Sequence, residues 1–139
     1  MNLQTEIENY FDRLWPICRS ITGNGLRESL KIINEIVPLE ITEVKTGTRV
    51  FDWVVPKEWN IRAAYIVDPN GKKVCDFSLN NLHVVSYSVP VNKNITYSEL
   101  LEHLHYIEEL PEAIPYITSY YKETWGFCIS YTQFLTGTE

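Results

Sequence analysis

The side chains able to hold a metal, attack a carbonyl or move a proton are few: His83, His103 and His105, Cys18, Cys75 and Cys128, and carboxylate pairs such as Glu108-Glu109 or Asp52 with Glu58. His103 and His105 flank Leu104. On a strand two such rings share a face, whereas in a helix they diverge by about 200°. The spacing of Leu100, Leu101, Leu104 and Ile107 predicts a helix over 98–107, so the rings are expected to point apart. His105 lies three residues after Glu102 and four before Glu109, spacings that a zinc site allows. His103, His105 and Glu109 are therefore the candidate metal ligands, although no His-Glu-x-x-His pattern is present.

Other chemistry has less to stand on. There is no Gly-x-Ser-x-Gly elbow, and Cys128 paired with a distant histidine is a combination that any chain with three of each allows. Gly23-Asn24-Gly25, bracketed by Arg19 and Arg27, could offer backbone donors to an anion, but no Gly-Lys-Ser/Thr follows and no strand precedes. An interhelical turn is the simpler reading. The paired carboxylates read as a solvated face. Aromatic clusters at Phe51, Trp53 and Trp59 and at Tyr116, Tyr120, Tyr121 and Trp125 read mainly as core, with Trp53, Trp59, Tyr87, Tyr120 and Tyr121 able to present rings to a sugar or peptide. Of these, Trp53, Trp59, Tyr120 and Tyr121 are the ligand-binding candidates. No residue is assigned a catalytic role.

The elements that must carry these residues follow from periodicity and punctuation. Leu3, Ile7, Phe11, Leu14, Cys18 and Ile21 predict a helix over 3–21, kinked or split by Pro16. Leu26, Leu30, Ile33 and Ile36 mark a second helix, with Asn24 or Thr22 as cap and Pro38 as stop. The run 39–45 alternates as a strand, and 49–55 is a second strand closed by Pro56. Asp68-Pro69-Asn70-Gly71 between 61–67 and 72–77 is the clearest hairpin. A β run over 82–89 and the helix over 98–107, capped by Ser98 or Thr96, come next. The segment 114–121 holds Pro115 and reads as a loop or short helix, and 125–131 alternates as a half-buried strand. The expected class is α+β: two N-terminal helices, a mainly antiparallel β-rich region with one helix, and a C-terminal strand. Ending in turn-like residues just after a strand, the chain reads as a fragment.

With 139 residues, 45% of them hydrophobic and 22% charged, the chain can bury a core and is neither disordered nor a disulfide miniprotein. Its net charge of −6, without a basic run, argues against binding to nucleic acid. No apolar stretch is long enough to span a bilayer, and residues 1–8 do not resemble a signal peptide. Three widely spaced cysteines suit a reducing, cytoplasmic setting.

Several motifs occur together in order. They are Arg19-Ser20-Ile21-Thr22-Gly23 with Gly25-Leu26-Arg27-Glu28-Ser29-Leu30, the run Phe51-Asp52-Trp53-Val54-Val55-Pro56-Lys57-Glu58-Trp59, and Asn81-Leu82-His83-Val84-Val85-Ser86-Tyr87-Ser88-Val89-Pro90-Val91. His103-Leu104-His105, Ile114-Pro115-Tyr116, Ser119-Tyr120-Tyr121 and Trp125-Gly126-Phe127-Cys128 complete the set. Over nearly its whole length the chain resembles the N-terminal part of a bacterial aminopeptidase-like family, often described as polysaccharide-biosynthesis proteins. The resemblance implies a zinc-peptidase-like α/β frame, partial here at 1–40 and 123–139, interrupted by a small β-rich inserted domain of unknown function at 41–122. It implies zinc only in a longer family member, because the family's His-x-Cys-His-Pro motif and its acidic ligands match no position here. His103-Leu104-His105 belongs to the insert pattern instead. The expected role is a non-catalytic segment of a zinc aminopeptidase-like hydrolase, shaping the substrate cleft or an oligomer contact. The remainder of the aminopeptidase-like domain, or a self-associating copy, is the expected partner, with no nucleic acid and no membrane. A stand-alone interaction or carbohydrate- or peptide-binding module is the alternative.

Overall fold

Pro16 lacks the N–H that a helix interior needs, and the first helix stops short of it. In the computed structural model, which describes residues 2–137, α1 spans Leu3–Leu14, with Asn2 as its N-cap accepting from the Gln4 N–H at 3.3 Å. The helix expected to run to residue 21 thus ends at the proline's first turn, with no kinked continuation. The contacts of the chain divide it into two units, Met1–Asn60 and Ile61–Glu139.

In the first unit α2 spans Asn24–Ile33, starting ahead of the apolar pattern that marks it. Its N-cap is Gly23, which has no side chain to offer. Neither Asn24 nor Thr22 caps it as expected. Asn60 Oδ1 accepts from the Asn24 N–H at 2.7 Å, while Thr22 Oγ1 accepts from the Trp59 N–H at 3.2 Å. Gly23 is also forced by space: its φ is +94°, and a Cβ there would lie 2.2 Å from the Trp59 carbonyl oxygen. The helix closes before Pro38, where Asn34 Oδ1 accepts from the Leu39 N–H at 2.7 Å. A fork of hydrogen bonds of 2.7 and 2.6 Å joins Arg13 in α1 to Glu35. The expected strand over 39–45 runs without turn or bend but pairs with no strand among the described residues. The strand expected over 49–55 is instead a hairpin, β1 (Arg49–Val50) against β2 (Trp53–Val54), with Val50 opposite Trp53. Phe51 turns that hairpin in the left-handed region at φ 54°, where a bulky residue is strained, and is 93% exposed.

The second unit opens on the predicted hairpin, β3 (Ile66–Val67) against β4 (Lys73–Val74). Asp68 Oδ1 accepts from the Asn70 and Lys72 N–H groups at 2.9 and 2.8 Å, which is why the Asp-Pro-Asn-Gly turn closes. The β run expected over 82–89 begins as a 3₁₀ turn, Asn81–His83, capped by Asn80. It continues as single bridges from Val84 to Phe127 and from Ser86 to Thr118. Helix α3 covers only Tyr97–Leu101, with Thr96 rather than Ser98 as cap. The chain then becomes β5 (Leu104–His105), which pairs in parallel with β6 (Phe127–Cys128). The strand expected to reach residue 131 gives way to α4 (Tyr131–Thr136), whose N-cap Ser130 accepts from the Gln133 N–H at 3.2 Å. The expected terminal loop over 136–139 falls partly outside the described residues.

The class is α+β, with two N-terminal helices and small sheets, as expected. The fully or nearly covered apolar residues Val84, Val85, Phe127, Cys128 and Cys75 all lie in the second unit. Among the described residues, no helix is long and apolar enough to cross a membrane. Replacing Gly23 with Ala is expected to lower stability by roughly 2–4 kcal/mol, from left-handed strain plus the clash with Trp59. Chemical denaturation of the variant measures this.

Candidate functional site

Arg27 is the most heavily engaged side chain of the first unit. Its Nη1 and Nη2 donate to the two carboxylate oxygens of Glu58 at 2.6 and 2.9 Å, and Nε donates to Glu43 at 2.6 Å. Nη1 also reaches Asn24 Oδ1 at 3.2 Å, and Asn60 Nδ2 donates to Glu58 at 3.2 Å. The planar guanidinium fork makes this arrangement possible, and a lysine could not reproduce it. Hydrogen bonds from Arg27, then from Asn60, hold the Glu58 carboxyl down at about 2. Hydrogen bonds to Glu58, then to Glu43, raise the Arg27 pKa. The clamp spans a cleft of about 160 Å³ with an apolar floor that includes Leu26, Leu30, Ile41 and Val55. The anion site considered at Gly23-Asn24-Gly25 is not formed. Its donor Asn24 N–H is taken by Asn60, Arg27 by the two glutamates, and Arg19 donates to the Leu14 carbonyl at 2.7 Å and to Ser29 Oγ at 3.3 Å.

The histidines lie elsewhere than expected. His103 and His105 are not on opposite sides of a helix. His105 lies on β5 and His103 in the turn that leads into it, because pairing with β6 overrides the leucine spacing. His103 Nδ1 donates to the Trp125 carbonyl at 2.8 Å, and its ring stacks on Trp125 with centroids 3.8 Å apart. His83 Nδ1 donates to the Cys128 carbonyl at 2.8 Å from a buried position. A carbonyl only accepts, so in both rings Nδ1 carries the proton. His105 Nε2 lies 3.2 Å from where a Cβ on Gly126 would sit. Burial, and then the charge of His103, lower the His105 pKa.

These donors do not fit a zinc site. Among the described residues, no three His, Cys, Asp or Glu side chains are grouped to hold a metal. Burial pushes the Cys75 and Cys128 thiols up to about 11, so at neutral pH both are protonated. Glu109 is exposed and stands among the surface residues after β5.

The aromatic candidates separate by unit. Trp53 and Trp59 belong to the first, Trp53 exposed on β2 and Trp59 half-buried beside Gly23. In the second unit Tyr87, Tyr120 and Tyr121 form an edge-to-face series with centroids 5.1 and 4.5 Å apart. Tyr121, at its end, is 88% exposed, and Tyr87 holds a left-handed φ of 66°. Sequence reasoning missed the Arg27 clamp, because Glu43 and Glu58 are 16 and 31 residues away from it. A charge at the first turn of a helix was the one local signal.

Residues 58–138, more than half of the chain, match a family model described as a domain of unknown function, DUF2172. A Clostridium acetobutylicum protein named "Putative polysaccharide biosynthesis protein with aminopeptidase-like domain" is 58% identical over 129 residues. That alignment covers 93% of this chain and 30% of the relative, so the chain spans about three tenths of the relative's length. A crystal structure of a "putative peptidase" from Clostridium acetobutylicum superposes with a TM-score of 0.89 at 58% identity, over 94% of this chain and 31% of that one.

Two outcomes follow from the geometry. The Glu58 carboxyl has a lower pKa folded than its ordinary 4.5, so its contribution to stability is present above pH 4.5 and is lost as pH falls toward about 2. Arg27→Gln should flatten that part of the stability–pH curve, and added salt should weaken the wild-type effect, because the pair is half exposed. His105 has the same sign: with its pKa below 6.5, stability should decline as pH drops beneath that value, and His105→Gln should remove the slope. Thermal unfolding across pH measures both.

Proposed function

We propose that this chain, which belongs to the DUF2172 family of domains of unknown function, is the non-catalytic front segment and inserted domain of a longer zinc aminopeptidase-like hydrolase. There it shapes the substrate cleft or a subunit contact. The observation that carries this reading is the 58% identity, sustained over 129 residues, to a relative whose name specifies an aminopeptidase-like domain and of which the chain spans 30%.

The surface of the first unit supports it. Leu3, Ile7, Phe11 and Trp15 follow one another at four-residue steps on and just after α1, and each is 60% or more exposed. Burying a side chain of this size is worth about 1.5–3 kcal/mol, so the stripe gains much from a cover. The remainder of the aminopeptidase-like domain supplies that cover in this reading, and a self-associating copy is the alternative. Zinc, held by that remainder, would polarise the scissile carbonyl and its attacking water. The present residues contribute walls and packing. The reading also places the protein in a reducing, cytoplasmic compartment, which suits three unpaired cysteines, and away from nucleic acid, which suits the net charge of −6.

A second reading, a carbohydrate- or peptide-binding module, is favoured by the tyrosine series that ends in exposed Tyr121. Under it, fluorescence titration with glycans and peptides changes the aromatic signal, and Tyr121→Ala abolishes the change.

The test of the first reading uses the full-length Clostridium acetobutylicum relative beside this chain. The relative should contain zinc and release amino-terminal residues from peptides, and this chain alone should do neither. A metal-free, inactive relative would remove the hydrolase reading, and stoichiometric zinc in this chain would remove the non-catalytic one.

A further inference from the structure

Residues 39–45 carry the strand pattern most clearly in the first unit. Leu39, Ile41 and Glu43 alternate with Glu40, Thr42 and Val44, and three of these residues are β-branched. The backbone there runs without turn or bend. Yet from Glu40 to Val44 no N–H and no C=O has a hydrogen-bond partner among the described residues. The bonds resume only at Lys45, whose carbonyl accepts from the Thr48 N–H at 3.1 Å.

Backbone donors and acceptors are obligatory hydrogen-bonding groups, and an unpaired strand edge is a template for another strand. Charge at the edge is confined to Glu40 and Lys45 at its two ends and to Glu43. There is no proline from Leu39 to Lys45, and Glu43 is drawn off to Arg27. Ile41 and Val44 are 49% and 55% exposed, so the segment presents apolar side chains along with its open backbone. Residues 41–44 line the cleft with Leu26 and Leu30 of α2, so the segment shares that cleft with a helix. A strand laid against a helix without neighbouring strands is one piece of a helix-on-sheet layer.

We infer that residues 40–44 form an open strand, completed by main-chain pairing with a strand from polypeptide outside these 139 residues. The occupant is the polypeptide rather than a second copy, because most of the length of both matched relatives lies outside the shared region. This inference rests on the reading that the chain is part of a longer protein, and not on that protein being a hydrolase.

Hydrogen–deuterium exchange followed by mass spectrometry tests it. In this chain the amides of 40–44 should exchange near their intrinsic rates at every protein concentration. In the full-length Clostridium acetobutylicum relative, the aligned amides should exchange about a hundredfold slower or more, as expected for a paired strand. Thr42→Pro in this chain should leave the denaturation midpoint unchanged, since no internal bond is lost. Proline at the aligned position of the relative should abolish protection across the segment. Equal, fast exchange in both proteins would overturn the inference, as would protection in this chain that rises with concentration, which would make a second copy the occupant. A large drop in midpoint for Thr42→Pro would also overturn it, by showing that the segment is paired internally. A relative that protects these amides but neither holds zinc nor cleaves peptides would sink the hydrolase reading and leave the strand pairing intact. Cleavage without protection would do the reverse.

Discussion

Residues 125–129 are the backbone on which the second unit is organised, because they are bonded along both edges. On one side the Phe127 and Ile129 N–H groups donate to the carbonyls of His103 and His105 at 2.8 and 3.0 Å. On the other, the Gly126 carbonyl accepts from the Val85 N–H at 3.0 Å. Two of the three histidines are consumed in closing this arrangement, His83 on the Cys128 carbonyl and His103 on that of Trp125. Gly126 is what lets the layers meet: a Cβ there would sit 2.9 Å from the His103 carbonyl oxygen and from Val85 Cγ2. A central strand flanked by imidazoles that donate inward explains why buried polar side chains are tolerated next to the small apolar core.

The first unit is held differently. Arg13 of α1 is tied to Glu35 just beyond α2, Gly23 comes close to Trp59, and among the described residues of the unit no large apolar side chain is fully buried. Surface ion pairs are worth little individually, so the fork of Arg27 on Glu58 fixes position more than it adds stability. An apolar stripe on α1 and an unpaired extended segment at 40–44 lie in this same unit.

Local chemistry made much of this legible. The turn at Asp68 closes, and the leucine and isoleucine spacing locates α2, while Pro16 ends α1 outright instead of kinking or splitting a helix over 3–21. The errors arose where distant pairing decides. His103-Leu104-His105 continues a helical leucine pattern, and only β6, more than twenty residues later, draws it into a sheet. The strand expected over 125–131 takes in Tyr131, where α4 begins, because the alternation that starts at Trp125 carries on to Tyr131 and hides the capping signal at Ser130. The resemblance was read from motifs in the right order and agrees with the DUF2172 match and with the Clostridium relative. The Arg27 clamp depends on partners from three separate stretches of chain, which no periodicity encodes.

Phe51 closes the β1–β2 hairpin in a backbone region that glycine occupies at no steric cost. Its ring meets water over nearly its whole surface, so folding of this unit gives nothing back for keeping it. Mutational drift under selection for stability alone would favour a glycine there in descendant lineages. Persistence of an aromatic at this hairpin tip among orthologues would therefore record a selective pressure that folding does not supply.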